Sequence, residues 1–243
     1  MAKILIFNWK MNPASLKEAL VLAKISDQKN IVVAPPFIFI EEVEKKLKKA
    51  KLGAQDLFWE AGGAFTGEIS PKELKRLGVQ YVIVGHSERR HKLGETEEVI
   101  AKKAAAAVRG GLTPVLCVGE TFTEKHTGQK EAVLRRQLKK GLSLLKSYKL
   151  QATSLLIAYE PVWAIGTGHP ETPESALETI KYIKKLLANS YYLLDTKVLY
   201  GGSVNSKNLL NYIGYKEVDG ALVGGASLKK EEIKKMIQLV TGH

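Results

Sequence analysis

Two hydrophobic rhythms succeed one another from end to end of the chain. Short apolar runs at residues 3–8, 31–34, 52–55, 81–84, 113–118, 155–158, 197–200 and 220–223 read as strands. Several lack polar alternation, as expected of parallel strands buried on both faces. Between them, apolar residues recur at helical spacing. Leu16, Ala19, Leu20 and Ala23 form one such face, behind a capping box at Ser15 and Glu18. Val43, Leu47 and Ala50 mark a helix after the second strand. Ser70, Pro71 and Glu73 supply a cap, a first-turn proline and the glutamate of a second box. A helix over 97–108 stops at Gly110-Gly111. A long helix over 129–148 carries Leu134, Leu138, Leu142 and Leu145 on one side. Further helices are predicted over 172–189, after Ser206, and along Ile233, Met236, Ile237 and Val240.

These are eight strand–helix units of about 30 residues each, the length of one βαβ repeat. No linker rich in Ser, Gly and Pro divides them, so residues 1–243 are expected to form a single domain. Eight units in a chain of this length predict an α/β fold of the (β/α)₈ barrel type. An open doubly wound sheet would carry a glycine fingerprint after its first strand. Asn8-Trp9-Lys10-Met11-Asn12 stands there instead.

Composition narrows the function classes. The chain is 45% hydrophobic, enough for a full core. It has no apolar run of about 18 residues, so no membrane span is expected. The apolar part of residues 1–7 is too short for a signal peptide. The single cysteine, Cys117, lies in an apolar run and reads as core, which suits a reducing cytoplasm. Lys and Arg number 37 against 25 Asp and Glu, a net charge of +12. The lysines are scattered over helical faces without a nucleic-acid signature, so a field steering a small anion is expected rather than nucleic-acid binding.

In such barrels the chemistry lies beyond the C-terminal ends of the strands. Asn8 and Lys10 follow the first strand, and His86 follows the fourth. Glu160 follows the sixth, at the head of an apolar loop with glycines on its far side. Gly201-Gly202-Ser203 follows the seventh strand and Gly224-Gly225 the eighth. Glycines at those last two places let backbone N–H groups approach a phosphate. A carboxylate base, an imidazole kept neutral by a helix N-terminus, a lysine, a phosphate cradle and a lid together suit proton abstraction next to a carbonyl. The five histidines and Cys117 lack metal-ligand spacing, so no metal is expected.

At these residues the chain resembles the triosephosphate isomerase family. The resemblance rests on FNWKMN at 7–12, APPF at 34–37, GAQ at 53–55, GAFTGEIS at 63–70, VGHSERRH at 84–91, AYEPVWAIGTG at 158–168, YGGSV at 200–204 and LVGGASL at 222–228. It implies interconversion of dihydroxyacetone phosphate and glyceraldehyde 3-phosphate without a cofactor, in glycolysis and gluconeogenesis. It implies Glu160 as base, His86 as electrophile, and Asn8 and Lys10 as substrate contacts. Backbone N–H groups of Gly166, Ser203, Gly224 and Gly225 would hold the phosphate beneath a lid at 161–171. It also implies a homodimer joined through the loop around Phe65, Thr66 and Gly67. Two alternatives stand beside it: another phosphate-binding barrel isomerase, and a non-catalytic barrel that binds polyanions. The chain departs from the family at His169-Pro170-Glu171, where Lys-Thr-Ala is frequent, so the downstream hinge of the lid is expected to be stiffer or to pivot elsewhere.

The charge reading is open to test. If the positive field steers the anionic substrate, kcat/KM falls steadily as ionic strength rises. A flat response across the same salt series removes steering from the account.

Overall fold

The computed structural model describes residues 2–147, 155–166, 170–191 and 196–241. Its strands are β1 (Ile4–Asn8), β2 (Ile31–Ala34), β3 (Lys51–Ala54), β4 (Tyr81–Val84), β5 (Thr113–Val118), β6 (Leu156–Tyr159), β7 (Lys197–Tyr200) and β8 (Gly220–Val223). They pair in sequence order, all in parallel, and β8 returns to β1 to close the barrel. The open-sheet alternative is thereby excluded. The helices are α1 (Leu16–Ser26), α2 (Ile40–Glu44), α3 (Pro71–Arg76), α4 (Ser87–Lys92), α5 (Glu97–Arg109), α6 (Phe122–His126), α7 (Lys130–Gly141), α8 (Ser143–Ser147), α9 (Pro173–Tyr191), α10 (Leu209–Ile213) and α11 (Lys230–Thr241).

Strand periodicity sorts the side chains into two cores. Ile4, Ile6, Val32, Ala34, Ile83, Val115, Cys117, Leu156, Ala158, Leu199 and Leu222 fill the barrel interior. Their neighbours, among them Leu5, Phe7, Val33, Val84, Ile157 and Tyr159, pack outward with the helices. Successive residues of a strand face opposite ways. Continuing β1 and β6 past their last turns therefore puts Asn8 and Glu160 over the barrel mouth, while Tyr159 faces the helices. Cys117 is fully buried, as its apolar setting predicts.

Local signals hold in some places and yield in others. Ser70 and Glu73 form the full reciprocal box. At Ser15 only the cap forms: Ser15 accepts from the Glu18 N–H, and its own hydroxyl donates to the Glu18 carboxylate. Thr121 and Glu124 make a reciprocal box that opens α6. The helix after β2 is shorter than its apolar spacing predicts. Asp27 Oδ1 accepts from the backbone N–H groups of Lys48, Lys49 and Ala50, which fixes that segment as a turn. The long helix predicted over 129–148 is two helices, α7 and α8, divided at Leu142. There the backbone tightens to φ −97°, ψ 0° and the N–H of Leu142 reaches the carbonyls of both Leu138 and Lys140. Tyr148 lies outside the described residues.

The interior layer yields a stability test. Ile6 is 1% exposed. Ile6→Ala is expected to cost about 2–5 kcal/mol, read as a lower midpoint in urea unfolding at unchanged slope. A loss below about 1 kcal/mol would mean that the interior layer is loosely packed.

Candidate active site

Asn8, Lys10, His86, Glu160, Gly166, Ser203, Gly224 and Gly225 all line one cavity of about 470 Å³ at the mouth of the barrel. Glycine brings Glu160 to its place. A side chain on Gly119 would put its Cβ 1.7 Å from the Glu160 carbonyl oxygen, and one on Gly201 would approach Glu160 Cγ at 2.9 Å. Gln137 on α7 clamps Gly119 from behind: its Oε1 accepts from the Gly119 N–H at 2.7 Å and its Nε2 donates to the Gly119 carbonyl at 3.0 Å. Only two close backbone passes let β6 deliver its carboxylate at this point.

Glu160 is 2% exposed, and a buried carboxylate must be hydrogen-bonded. Its Oε2 accepts from the Ser87 N–H at 2.9 Å, and its Oε1 lies 3.1 Å from His86 Nε2. His86 caps α4 and accepts at Nδ1 from the Glu88 N–H at 3.2 Å. A nitrogen that accepts carries no proton, so the neutral imidazole bears its proton on Nε2, the nitrogen that faces Glu160.

Lys10 sits at φ 54°, a left-handed backbone that costs a side-chain-bearing residue about 1–2 kcal/mol. Two bonds stabilise it. The Lys10 N–H donates to Asn8 Oδ1 at 3.0 Å, and Gln55 Nε2 donates to the Lys10 carbonyl at 2.7 Å. Strain held this way is common where a side chain must be aimed at a ligand. The Lys10 ammonium meets Glu88 Oε1 at 2.9 Å. Burial by itself would raise the Glu88 pKa, but the bond and charge of Lys10 outweigh it and hold the carboxyl below its ordinary value. Beneath Glu160, burial first and the Glu160 carboxylate second push the Cys117 thiol well up, so it is an inert part of the floor.

The far side of the cavity is backbone. After β8 the chain enters a 3₁₀ turn, Gly225–Leu228, whose first N–H groups have no partner within the turn. The upstream part of the predicted lid is the 3₁₀ turn Val162–Ala164. Ser203 ties it down: its Oγ donates to the Ala164 carbonyl at 2.6 Å and accepts from the Gly166 N–H at 3.1 Å. Thr167, Gly168 and His169 lie outside the described residues. Pro170 is exposed, whereas Glu171 is 2% exposed.

Sequence reasoning missed several contributors. Lys207 and Lys229 also line the cavity. Their signal was available, because both lie within a few residues of the glycine pairs. Glu88 and Gln55 lie inside motifs already noted, but their bonds to Lys10 are to a residue distant in the chain, and no local pattern marks Gln137. Among the described residues, no group of three or more His, Cys, Asp or Glu is placed to hold a metal ion, and no helix is long and apolar enough to cross a membrane.

Comparison with known proteins adds an independent line. The family model described as Triosephosphate isomerase matches residues 3–240. The chain is 44% identical over 250 residues to a protein of Dictyoglomus thermophilum named Triosephosphate isomerase, covering 97% of this chain and 98% of that one. A protein of the same name from Thermoanaerobacter sp. is 41% identical, covering 96% and 98%. Another, from Coprinopsis cinerea, is 44% identical and covers 92% of each chain.

The close pass at Gly119 gives a prediction. Gly119→Ala forces Glu160 away from His86, and a displacement of about 1 Å can cost on the order of 10²-fold in kcat. Steady-state turnover of the folded variant checks it. Wild-type kcat would show that the spacing is set elsewhere.

Proposed function

The chain belongs to the triosephosphate isomerase family, and we propose that Glu160 and His86 carry out its proton transfer at the mouth of the barrel. The protein is an isomerase that interconverts dihydroxyacetone phosphate and glyceraldehyde 3-phosphate, a step of glycolysis. Matches over nearly the whole chain favour this over a different sugar-phosphate isomerase or a non-catalytic polyanion binder.

In the proposed mechanism the substrate enters between the two facing groups. The Glu160 carboxylate takes a proton from the carbon beside the carbonyl. His86 donates from Nε2 to the carbonyl oxygen as negative charge develops there. Glu160 then delivers its proton to the former carbonyl carbon, while the hydroxyl on the carbon that lost its hydrogen returns a proton to His86 Nε2 and becomes the new carbonyl, which completes the isomerisation. Asn8 and Lys10 contact the substrate, and the Lys10 ammonium stabilises both the phosphate and the enediolate. Backbone N–H groups of Ser203, Gly224 and Gly225 cradle the phosphate. The Gly166 N–H, now bonded to Ser203 Oγ, turns to the phosphate when the lid settles over it. The lid keeps water from the intermediate. The observation that carries this reading is the arrangement of Glu160 Oε1 3.1 Å from His86 Nε2, with His86 Nδ1 already occupied as an acceptor.

A homodimer belongs to the same reading. Met11, one residue beyond Lys10, is 93% exposed, and Phe65 in the loop before α3 is 45% exposed. Apolar side chains left exposed in this way are surface for a second copy to cover. A cytoplasmic location is proposed with it, supported by the free, buried Cys117.

Glu160→Asp withdraws the carboxylate by about 1 Å and is expected to lower kcat on the order of 10²-fold while KM changes little. A coupled assay on glyceraldehyde 3-phosphate checks this. Turnover close to wild type would remove Glu160 from the role of base.

A further inference from the structure

The outer face of β6 carries a second set of buried polar groups, for which the proton transfer has no use. Tyr159 precedes the base and points away from the barrel interior. Its hydroxyl donates to Glu171 Oε2 at 2.7 Å and lies 3.1 Å from Glu120 Oε1. The same Glu120 oxygen accepts from Trp163 Nε1 at 3.0 Å, and the Glu120 carbonyl accepts from the Val162 N–H at 3.0 Å. Glu171 Oε1 accepts from Ser175 Oγ at 2.6 Å, with Lys125 Nζ at 3.5 Å and Lys130 Nζ at 3.8 Å. Lys125 also stands 3.6 Å from the centre of the Trp163 ring. The Glu171 carbonyl accepts from the Tyr212 hydroxyl at 2.5 Å.

Trp163 and Glu171 are the two ends of the lid. A buried carboxylate is costly unless charge and hydrogen bonds satisfy it. Glu171 meets that condition only while the lid's downstream end lies against Tyr159, Lys125 and Ser175. Its contacts therefore have a large free-energy difference between a seated and a lifted end. Lys125 and the Tyr159–Glu120 pair touch both ends, so the seating of one favours the seating of the other. Burial, with the neighbouring Glu171 charge, raises the Glu120 pKa despite the Trp163 bond, which marks this as a dry cluster.

We propose that Glu171 is a positioning residue for the isomerisation, the carboxylate that clasps the downstream end of the lid to Tyr159, Lys125 and Lys130 and couples it to Trp163 at the upstream end. The proposal rests on the reading of 161–171 as the lid over Glu160. It also gives the departure at residues 169–171 a physical content: the hinge is anchored by a buried charge, not merely stiffened by Pro170.

The test compares Glu171→Gln, Glu171→Ala and Lys125→Met with wild type, with Glu160→Gln in parallel. Each is measured for kcat, KM, thermal midpoint, and inhibition by phosphoglycolate, whose carboxylate imitates the enediolate, and by inorganic phosphate. A charged hydrogen bond lost from the seated lid is expected to weaken phosphoglycolate about tenfold and to lower kcat similarly, with inorganic phosphate affected less. Glu171→Gln keeps the shape and loses the attraction for the lysines, so it falls between wild type and Glu171→Ala. Combined with Lys125→Met it is less than additive, because both remove one contact. If Glu171→Ala does not fold, Glu171→Gln and Lys125→Met carry the test. A lower thermal midpoint with kcat and phosphoglycolate inhibition within twofold of wild type in every Glu171 and Lys125 variant overturns the clasp. Retained turnover in Glu160→Gln would overturn the assignment of the base instead, and leaves the phosphoglycolate comparison to decide the clasp.

Discussion

Eight parallel strands that bury both faces leave no room for polar chemistry along their length. Most strand residues are committed either to the interior layer of Ile6, Ile83 and Leu199 or to the outer layer of Leu5, Val84 and Val198, and the polar Asn8 stands only at the last position of β1. Functional groups are thus displaced to the first residues past each strand, where the inward–outward alternation still fixes their direction. Asn8 and Glu160 inherit an inward heading, and Tyr159 inherits the opposite one. One strand, β6, therefore delivers Glu160 to the cavity and Tyr159 to the outer layer.

The same constraint explains how much was legible in the sequence. Strand positions came from apolar runs, because a strand buried on both sides has no other way to be written. Most of the site residues were legible because they stand at a strand's last position or within three residues beyond it, Gly166 being the exception in the longer loop after β6. The helices were harder. The end of α2 is set by Asp27, a side chain about twenty residues earlier, and at the division the apolar spacing of Leu138, Leu142 and Leu145 runs on past Gly141 and hides the break. Reciprocal support was invisible for a similar reason. Gln137 holds Gly119 across 18 positions, and Lys125 meets Glu171 across 46. A buried charge whose partners come from three other segments leaves no periodic trace, so Glu171 read only as a departure in a hinge.

Electrostatics in the site follows from ordering rather than from unusual groups. One backbone N–H at Glu88 decides which nitrogen of His86 carries the proton. The Ser87 N–H, one residue earlier, holds the carboxylate that the same imidazole faces. Consecutive amides at the start of α4 therefore hold both Glu160 and His86. Lys10 is aimed by a strained backbone that Asn8 and Gln55 stabilise, and its partner Glu88 belongs to the same short helix. Positive charge, neutral imidazole and carboxylate are thereby fixed relative to one another through a single turn of chain.

The central claim is that Glu160 moves a carbon-bound proton. The most direct measurement is exchange of the hydrogens beside the carbonyl of dihydroxyacetone phosphate in deuterated water, followed by NMR for the wild type and for Glu160→Gln. The account predicts enzyme-dependent deuterium incorporation with the wild type and only the buffer rate with the variant. Incorporation by Glu160→Gln at a rate comparable with wild type would contradict it.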